Sequence, residues 1–308
     1  MSDFLQKFNA FYQAFFLDRW PTLSASLNQK SLMMSRKNYW LESNQNSIFP
    51  EDFLWSQFAN LKPASQFTPP ARKGDLLDSY VMDPGSVCAA LALNVQPGYK
   101  VLDACAAPGG KALILAELLK GQGHFAVNEF SSARRERLKK VLQQYIPKEI
   151  RQDHLWLEGK DANILMMKQK DSFDRILLDV PCSGETHLLE NKQAQAKWSP
   201  GQSKKLALRQ YALLANAVGA LKTGGRLVYS TCSLSPLEND GVLHKMNERL
   251  GDQVQIKSKD FFTEIRSKLD IQIQPEETKH GVVFLPDRCG FGPLYLAVVE
   301  KQSGPGAS

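Results

Sequence analysis

No apolar run in this 308-residue sequence approaches the roughly 18 residues that a membrane-spanning helix needs, so no membrane span is expected. Metal binding is not indicated. The five cysteines (Cys88, Cys105, Cys182, Cys232 and Cys289) are far apart with no C-x-x-C among them, and the five histidines form no pair at ligand spacing. Phosphate-binding signatures are missing too: there is no G-x-G-x-x-G, and Ala112 follows Lys111 where a P-loop requires Ser or Thr. No internal repeat or low-complexity tract is present. The first residues, MSDFLQKFNAFYQAFF, include Asp3 and lack both a basic n-region and a small-residue cleavage site, so neither a secretory nor a mitochondrial leader is expected. An odd number of cysteines without a secretion signal fits free thiols in a reducing, cytoplasmic setting. Charge is only mildly one-sided: 38 Lys and Arg against 32 Asp and Glu give +6, which permits a polyanionic partner without requiring one.

What is present is an ordinary globular composition, 43% hydrophobic and 23% charged. Up to about residue 45 the apolar spacing (Phe4, Phe8, Phe11, Phe15, Phe16, then Leu23, Leu27, Leu32) predicts a small helical unit. From Ser43 to Asp78 the pattern loosens around Pro63, Pro69, Pro70 and the basic Arg72-Lys73, and reads equally as a solvated linker or an RNA-contacting arm. From Tyr80 onward short apolar runs alternate with helical patterns. Strands are predicted at 100–105, 123–129, 155–157, 174–180 and 225–231, with helices at 86–94, 109–119, 131–145, 204–221 and 237–250, and further strands at 282–285 and 294–298. The expected fold is α/β, a doubly wound, mostly parallel sheet. Expected boundaries are 1–79 for a helical, RNA-docking region, 80–301 for the α/β domain and 302–308 for a flexible tail.

Three stretches set chemistry-bearing side chains at strand ends, where open α/β sheets bind ligands. The loop Asp103-Ala104-Cys105-Ala106-Ala107-Pro108-Gly109-Gly110-Lys111 is built of small residues, so its backbone N–H groups can approach a ligand closely. Glu129, ending the second strand, stands where such folds hold an adenosine ribose. Together these favour an adenosyl cofactor, although Gly109-Gly110 also reads as a simple turn and Glu129 as a complement to the next helix N-terminus. Asp179-Val180-Pro181-Cys182-Ser183-Gly184 adds a carboxylate and a thiol after a buried strand; Asp179 reads alternatively as a cap. Finally, GGRLVYSTCSLSPLEN sets Cys232 at a strand end, and Ser235-Pro236-Leu237-Glu238 predicts a helix start whose dipole favours a thiolate. A lone cysteine in that place is more often a small buried apolar residue than a nucleophile. The strands ending at Asp179 and Cys232 are expected as neighbours, bringing two thiols and a carboxylate into one crevice, and without C-x-x-C alkyl transfer fits better than a redox pair.

In order and separation, DACAAPGGK, DVPCSG and YSTCSLSPLEN resemble the motifs of the S-adenosylmethionine-dependent RNA cytosine-5 methyltransferases of the Sun/Fmu family. The resemblance runs from about Phe8 to Glu300, and FYQAFFLDRWPTLSASL is most similar to the mitochondrial small-subunit rRNA branch. It implies a Rossmann-like class I methyltransferase with a seven-stranded sheet, a monomer acting on RNA (rRNA before tRNA) with S-adenosyl-L-methionine as cofactor and no metal. It also implies that Cys232 attacks carbon-6 of the target cytosine, that Asp179 holds the base beside the cofactor, and that Cys182 helps remove the carbon-5 proton and release the enzyme. For the cofactor it implies Cys105, Ala106, Ala107, Pro108, Gly109, Gly110 and Lys111 at the methionine end, Glu129 at the ribose, Arg134 beside it and Asp161 near the adenine. This chain departs from close relatives in having Glu129 for Asp and Ala162 for Gly. The target base must be unstacked, so loop or single-stranded RNA is expected, with Arg134, Arg135, Arg137, Lys139 and Lys140 as candidate phosphate contacts. The alternative is a non-catalytic RNA-binding ribosome assembly factor on the same fold.

Overall fold

The computed structural model describes residues 2–42, 56, 60–268 and 275–303; part of the expected linker (43–55 and 57–59) and residues 304–308 of the expected tail lie outside them. Two helices, α1 (Asp3–Phe16) and α2 (Trp20–Ser26), lead into strand β1 (Leu32–Lys37), which pairs antiparallel with β2 (Ser79–Met82). The helical spacing therefore ends before Leu32, a correction to the sequence reading. Leu32 N donates instead to Gly290 O (2.7 Å), and Met33 pairs with Lys62: hydrogen bonds from distant segments replace those of a further helical turn.

The α/β part follows as α3 (Pro84–Leu91), β3 (Lys100–Asp103), α4 (Gly110–Leu119), β4 (His124–Asn128), α5 (Ser132–Tyr145), β5 (Leu155–Glu158), β6 (Phe173–Asp179), α6 (Glu185–Glu190), α7 (Pro200–Ala220), β7 (Leu221–Thr231), α8 (Asp240–Leu250), β8 (Val254–Ile256), β9 (Glu276–Glu277), β10 (Val282–Phe284) and β11 (Leu294–Lys301). The sheet order is β9-β10-β11-β7-β6-β3-β4-β5, with β8 also on β11. The five strands β5-β4-β3-β6-β7 are parallel and β11 is antiparallel to β7. With β10 these make the seven strands expected of a Rossmann-like methyltransferase sheet, and the short β8 and β9 extend it to nine.

Both faces of the sheet are covered, which explains why its strands read as unbroken apolar runs. Val101, Leu177 and Val228 pack on one face with α3, α4 and α5, whereas Leu102, Ile176, Leu178 and Leu227 pack on the other with α7, α8 and the helix at Ala162–Met167. That division is the period-two alternation of a strand. Helix α4 is buried nearly all round, and its Glu117 accepts two bonds from the buried Arg36 of β1 (2.7 and 2.8 Å), tying the N-terminal region to the sheet. Phe8, Tyr12, Trp20, Leu23 and Leu27 form a third core with Leu188, Trp198, Leu234 and Leu285. Helix α1 thus lies against the segments that follow β6 and β7. No helix among the described residues is long and apolar enough to cross a membrane.

Candidate active site

From β3 the chain winds to β4 on one side, and β6 lies on the other, which makes the β3/β6 boundary the switch point where such sheets open a crevice. Register places Asp103 opposite Leu177 and Asp179 opposite Ser230, so the carboxyl ends of β3, β6 and β7 come together. Asp103 is 1% exposed, and neither of its carboxylate oxygens has a hydrogen-bond partner among the described residues. Burial, and after it the Asp179 charge, push its carboxyl up to about 8. It faces a cavity of about 270 Å³ lined by Cys105, Ala106, Ala107, Pro108, Gly110 and Lys111 together with Tyr80 and Asp179. Burial likewise raises the Cys105 thiol, so within this loop it is a neutral wall. Gly109 does not line the cavity. Its φ of +122° makes the turn, and a Cβ there would stand 3.0 Å from Val141 Cγ1 and 3.1 Å from Leu138 Cδ1, so the loop packs tightly on α5.

Ser131 caps α5 and aims its first turn at the loop. Arg134 donates to Ala107 O (2.8 Å) and lies 3.3 Å from Glu129 Oε2, while Glu129 Oε1 accepts from Ser131 N (2.9 Å). The structure thus joins Glu129 and Arg134 to the glycine loop. Arg135 also turns back, donating to Glu129 O (2.9 Å) and Phe130 O (3.1 Å). Asp161 caps the helix at Ala162–Met167 through Asn163 N (2.8 Å); neither it nor Glu129 lines this cavity. Sequence reasoning passed over Asn128, which links the ends of β3, β4 and β5: its amide donates to Ala104 O and Lys160 O and accepts from Lys160 N, each at 3.0 Å. An amide closing an apolar strand was the available signal.

A second cavity, about 580 Å³, shares Asp83, Ser86, Ala107, Lys111 and Asp179 with the first and extends to Cys182 and Cys232. Lys111 Nζ donates to Asp179 Oδ2 (2.8 Å) and Ser86 Oγ (3.0 Å), and Asp179 Oδ1 accepts from Ser230 Oγ (2.8 Å). This ion pair is the partition between the cavities. Burial opposes the Lys111 charge, but Asp179, with Asp83 and Asp103, outweighs it and holds the ammonium above the ordinary lysine value. Asp103, Asp83 and Ser86 were not singled out from sequence; Asp103 could have been, as the acid that ends a buried strand.

The two thiols meet as expected from adjacent strand ends: Cys182 Sγ and Cys232 Sγ are 2.7 Å apart, and Cys232 N lies 3.3 Å from Cys182 Sγ. Cys232 is exposed and Cys182 half-buried. The hydrogen bond to Cys232, then burial, then nearby negative charge, hold the Cys182 thiol well above its ordinary value. The expected helix start at Pro236 is corrected. Residues 236–239 form a turn and α8 begins at Asp240, because Glu238 and Asn239 point their side chains inward: Asn239 bonds Thr231 Oγ1 (2.6 Å) and Ser233 O (2.9 Å), and Tyr229 donates to Glu238 O (2.6 Å). No helix dipole therefore acts on Cys232 from that segment.

The chain is similar to the mouse 5-cytosine rRNA methyltransferase NSUN4, 33% identical over 96% of this chain and 88% of that protein. It is 37% identical to the cattle protein of the same name over 70% of this chain, where it spans about 58% of the relative's length. A methyltransferase homologue from Pyrococcus horikoshii has the same fold, with a TM-score of 0.68 at 21% identity, over 98% of this chain and all of that one. Residues 90–299, well over half the chain, match the family described as 16S rRNA methyltransferase RsmB/F, and to that family this protein belongs.

Proposed function

We propose that the protein methylates carbon-5 of a cytosine in RNA, with rRNA as the substrate class, through a covalent bond between Cys232 and carbon-6. The observation that carries this reading is the contact between the Cys182 and Cys232 sulfurs in a cavity that adjoins the Asp103 cavity across the Lys111–Asp179 pair. The names of the relatives support rRNA. The residues fit S-adenosylmethionine: Asp103 offers a cationic group a buried carboxylate that has no ion-pair partner among the described residues, and a Cβ on Gly110 would come within 3.0 Å of Tyr80, so the cradle needs glycine. Cys105, Ala106, Ala107, Pro108 and Lys111 form its wall, with Arg134 joined to it through Ala107 O and paired with Glu129, while Asp161 caps the helix at Ala162–Met167. When bound, the cofactor supplies an electrophilic methyl group.

Cytosine carbon-5 is too weak a nucleophile to react unaided, and addition of the Cys232 sulfur at carbon-6 makes it an enamine carbon. Asp179, fixed by Lys111 and Ser230, meets the base edge as an acceptor for the amino group, while the Lys111 ammonium beside it offsets the negative charge that develops on addition. Cys182 stands beside the adduct and would help take the carbon-5 proton: it first gives its own thiol proton to solvent, then receives the carbon-5 proton as a thiolate, and the bond from carbon-6 to the Cys232 sulfur breaks to return the methylated base and the free Cys232 thiolate.

The test is covalent trapping on RNA that contains 5-fluorocytosine, with cofactor present. Cys182→Ala retains the trapped complex and Cys232→Ala loses it; the reverse pattern overturns these roles. Transfer of labelled methyl groups separates the substrates: rRNA labelling is expected, tRNA labelling redirects the substrate, and no labelling of any RNA makes the protein a non-catalytic assembly factor.

A further inference from the structure

Two buried carboxylates, Glu185 and Glu238, pack against the cysteine loops, and none of the hydrogen-bond partners described for either is a cation. Burying two acids without a counter-ion is costly unless every oxygen is satisfied, and here each is. Their bonds cross between the loops. Glu185, three residues after Cys182, accepts from Leu234 N (2.9 Å), two residues after Cys232. Glu238, six residues after Cys232, accepts from Ser183 N (3.0 Å), next to Cys182, and from Gln210 Nε2 (2.9 Å), which also bonds Pro181 O (3.0 Å). Ser233 Oγ lies 3.2 Å from both carboxylates and 2.8 Å from Ser183 Oγ. Each loop thereby holds the backbone beside the other loop's cysteine. One further donor comes from far away in sequence: the Tyr12 hydroxyl of α1 bonds Glu185 Oε1 at 2.5 Å, its ring stacked on Trp20 at 5.2 Å.

We propose that Glu185 and Glu238 are positioning residues that hold the Cys182 thiol on Cys232, and that Tyr12 makes this hold depend on the docking of helix α1. The proposal rests on the reading of the cysteines as a reactive pair, but its first test does not use methyl transfer. Phenylarsine oxide bridges two thiols only when both sulfurs reach one arsenic. The full-length protein retains one bridged arsenical per chain against a monothiol wash, and Cys182→Ser does not. Glu238→Ala and Glu185→Ala lose retention about tenfold or more, as expected when bonds to a charged group are removed, whereas Glu238→Gln, which keeps acceptor and shape, restores it. Tyr12→Phe weakens retention several-fold.

The second test is a split readout. In Glu238→Ala and Tyr12→Phe, kcat falls while affinity for S-adenosylmethionine stays at the wild-type level, because no member of this network lines the Asp103 cavity. General damage would move both. Folded alanine variants that hold the arsenical as wild type does overturn the proposal. Should they not fold, Ser233→Ala and Tyr12→Phe, each removing a single hydroxyl, carry the test, and wild-type retention and kcat in both overturn it equally. If wild type transfers no methyl group to any RNA while the arsenical results stand, the reading of function fails and the positioning role survives.

Discussion

Replacing Asp103 with Asn tests whether the buried carboxylate at the end of β3 receives a cation when the cofactor binds. In the unliganded protein this carboxyl is pushed up to about 8 by burial and the Asp179 charge. About nine-tenths of the molecules therefore carry the proton at pH 7. A cationic ammonium or sulfonium against it favours the ionised form, so binding expels about 0.9 proton at pH 7 and about half a proton at pH 8. The association constant then rises about tenfold per pH unit below pH 7 and levels off above pH 8. The consequence for stability has a definite sign. The folded value lies above the unfolded one of about 3.9, so the contribution of Asp103 is complete below about pH 4 and is lost as pH rises through about 8. Calorimetric titration with S-adenosylmethionine, in buffers of different ionisation enthalpy, counts the protons. The cofactor's amino group titrates in the same range, so the quantity to read is the difference between wild type and Asp103→Asn, about one proton at pH 7. Equal release by the two proteins refutes the pairing of Asp103 with a cation.

Two further predictions concern stability and are read by denaturant unfolding. Glu117→Ala leaves the fully buried Arg36 without its carboxylate and costs about 3–5 kcal/mol, whereas replacing both residues with apolar side chains of similar size costs far less; a loss below about 1 kcal/mol for the single variant contradicts the buried pair. Gly98 and Gly123 have nearly the same φ, +88° and +89°, but a Cβ at Gly98 meets nothing within 4 Å and one at Gly123 would stand 2.3 Å from Tyr99 O. Gly98→Ala is expected to cost about 1–2 kcal/mol for the left-handed conformation alone, and Gly123→Ala clearly more; equal losses in the two refute the clash.

Much of the fold was legible because its signals are local. The apolar runs around Leu102, Val127 and Leu177 and the cap at Ser131 act over a few residues, so strands and helices fall close to their expected places. The glycine loop, Asp179, Cys182 and Cys232 were legible for the same reason, each lying in a short motif at a strand end. The errors fall where distant partners decide. Leu32 leaves the helical pattern because Gly290 and Pro63 offer it strand partners, and Pro236 starts no helix because Glu238 is drawn into bonds with Ser183 and Gln210.

The sequence by itself determined the doubly wound sheet and the loops at its carboxyl edge, and it supplied the candidate residues for the chemistry, since periodicity and turn residues specify these locally. Only the tertiary structure decided that Asp103 is a buried acid with no ion-pair partner among the described residues, that Lys111 and Asp179 divide two cavities, and that Tyr12 reaches Glu185. Burial, charge and hydrogen-bond satisfaction are properties of what surrounds a residue in space, and the surroundings of these residues come from segments up to 173 positions apart.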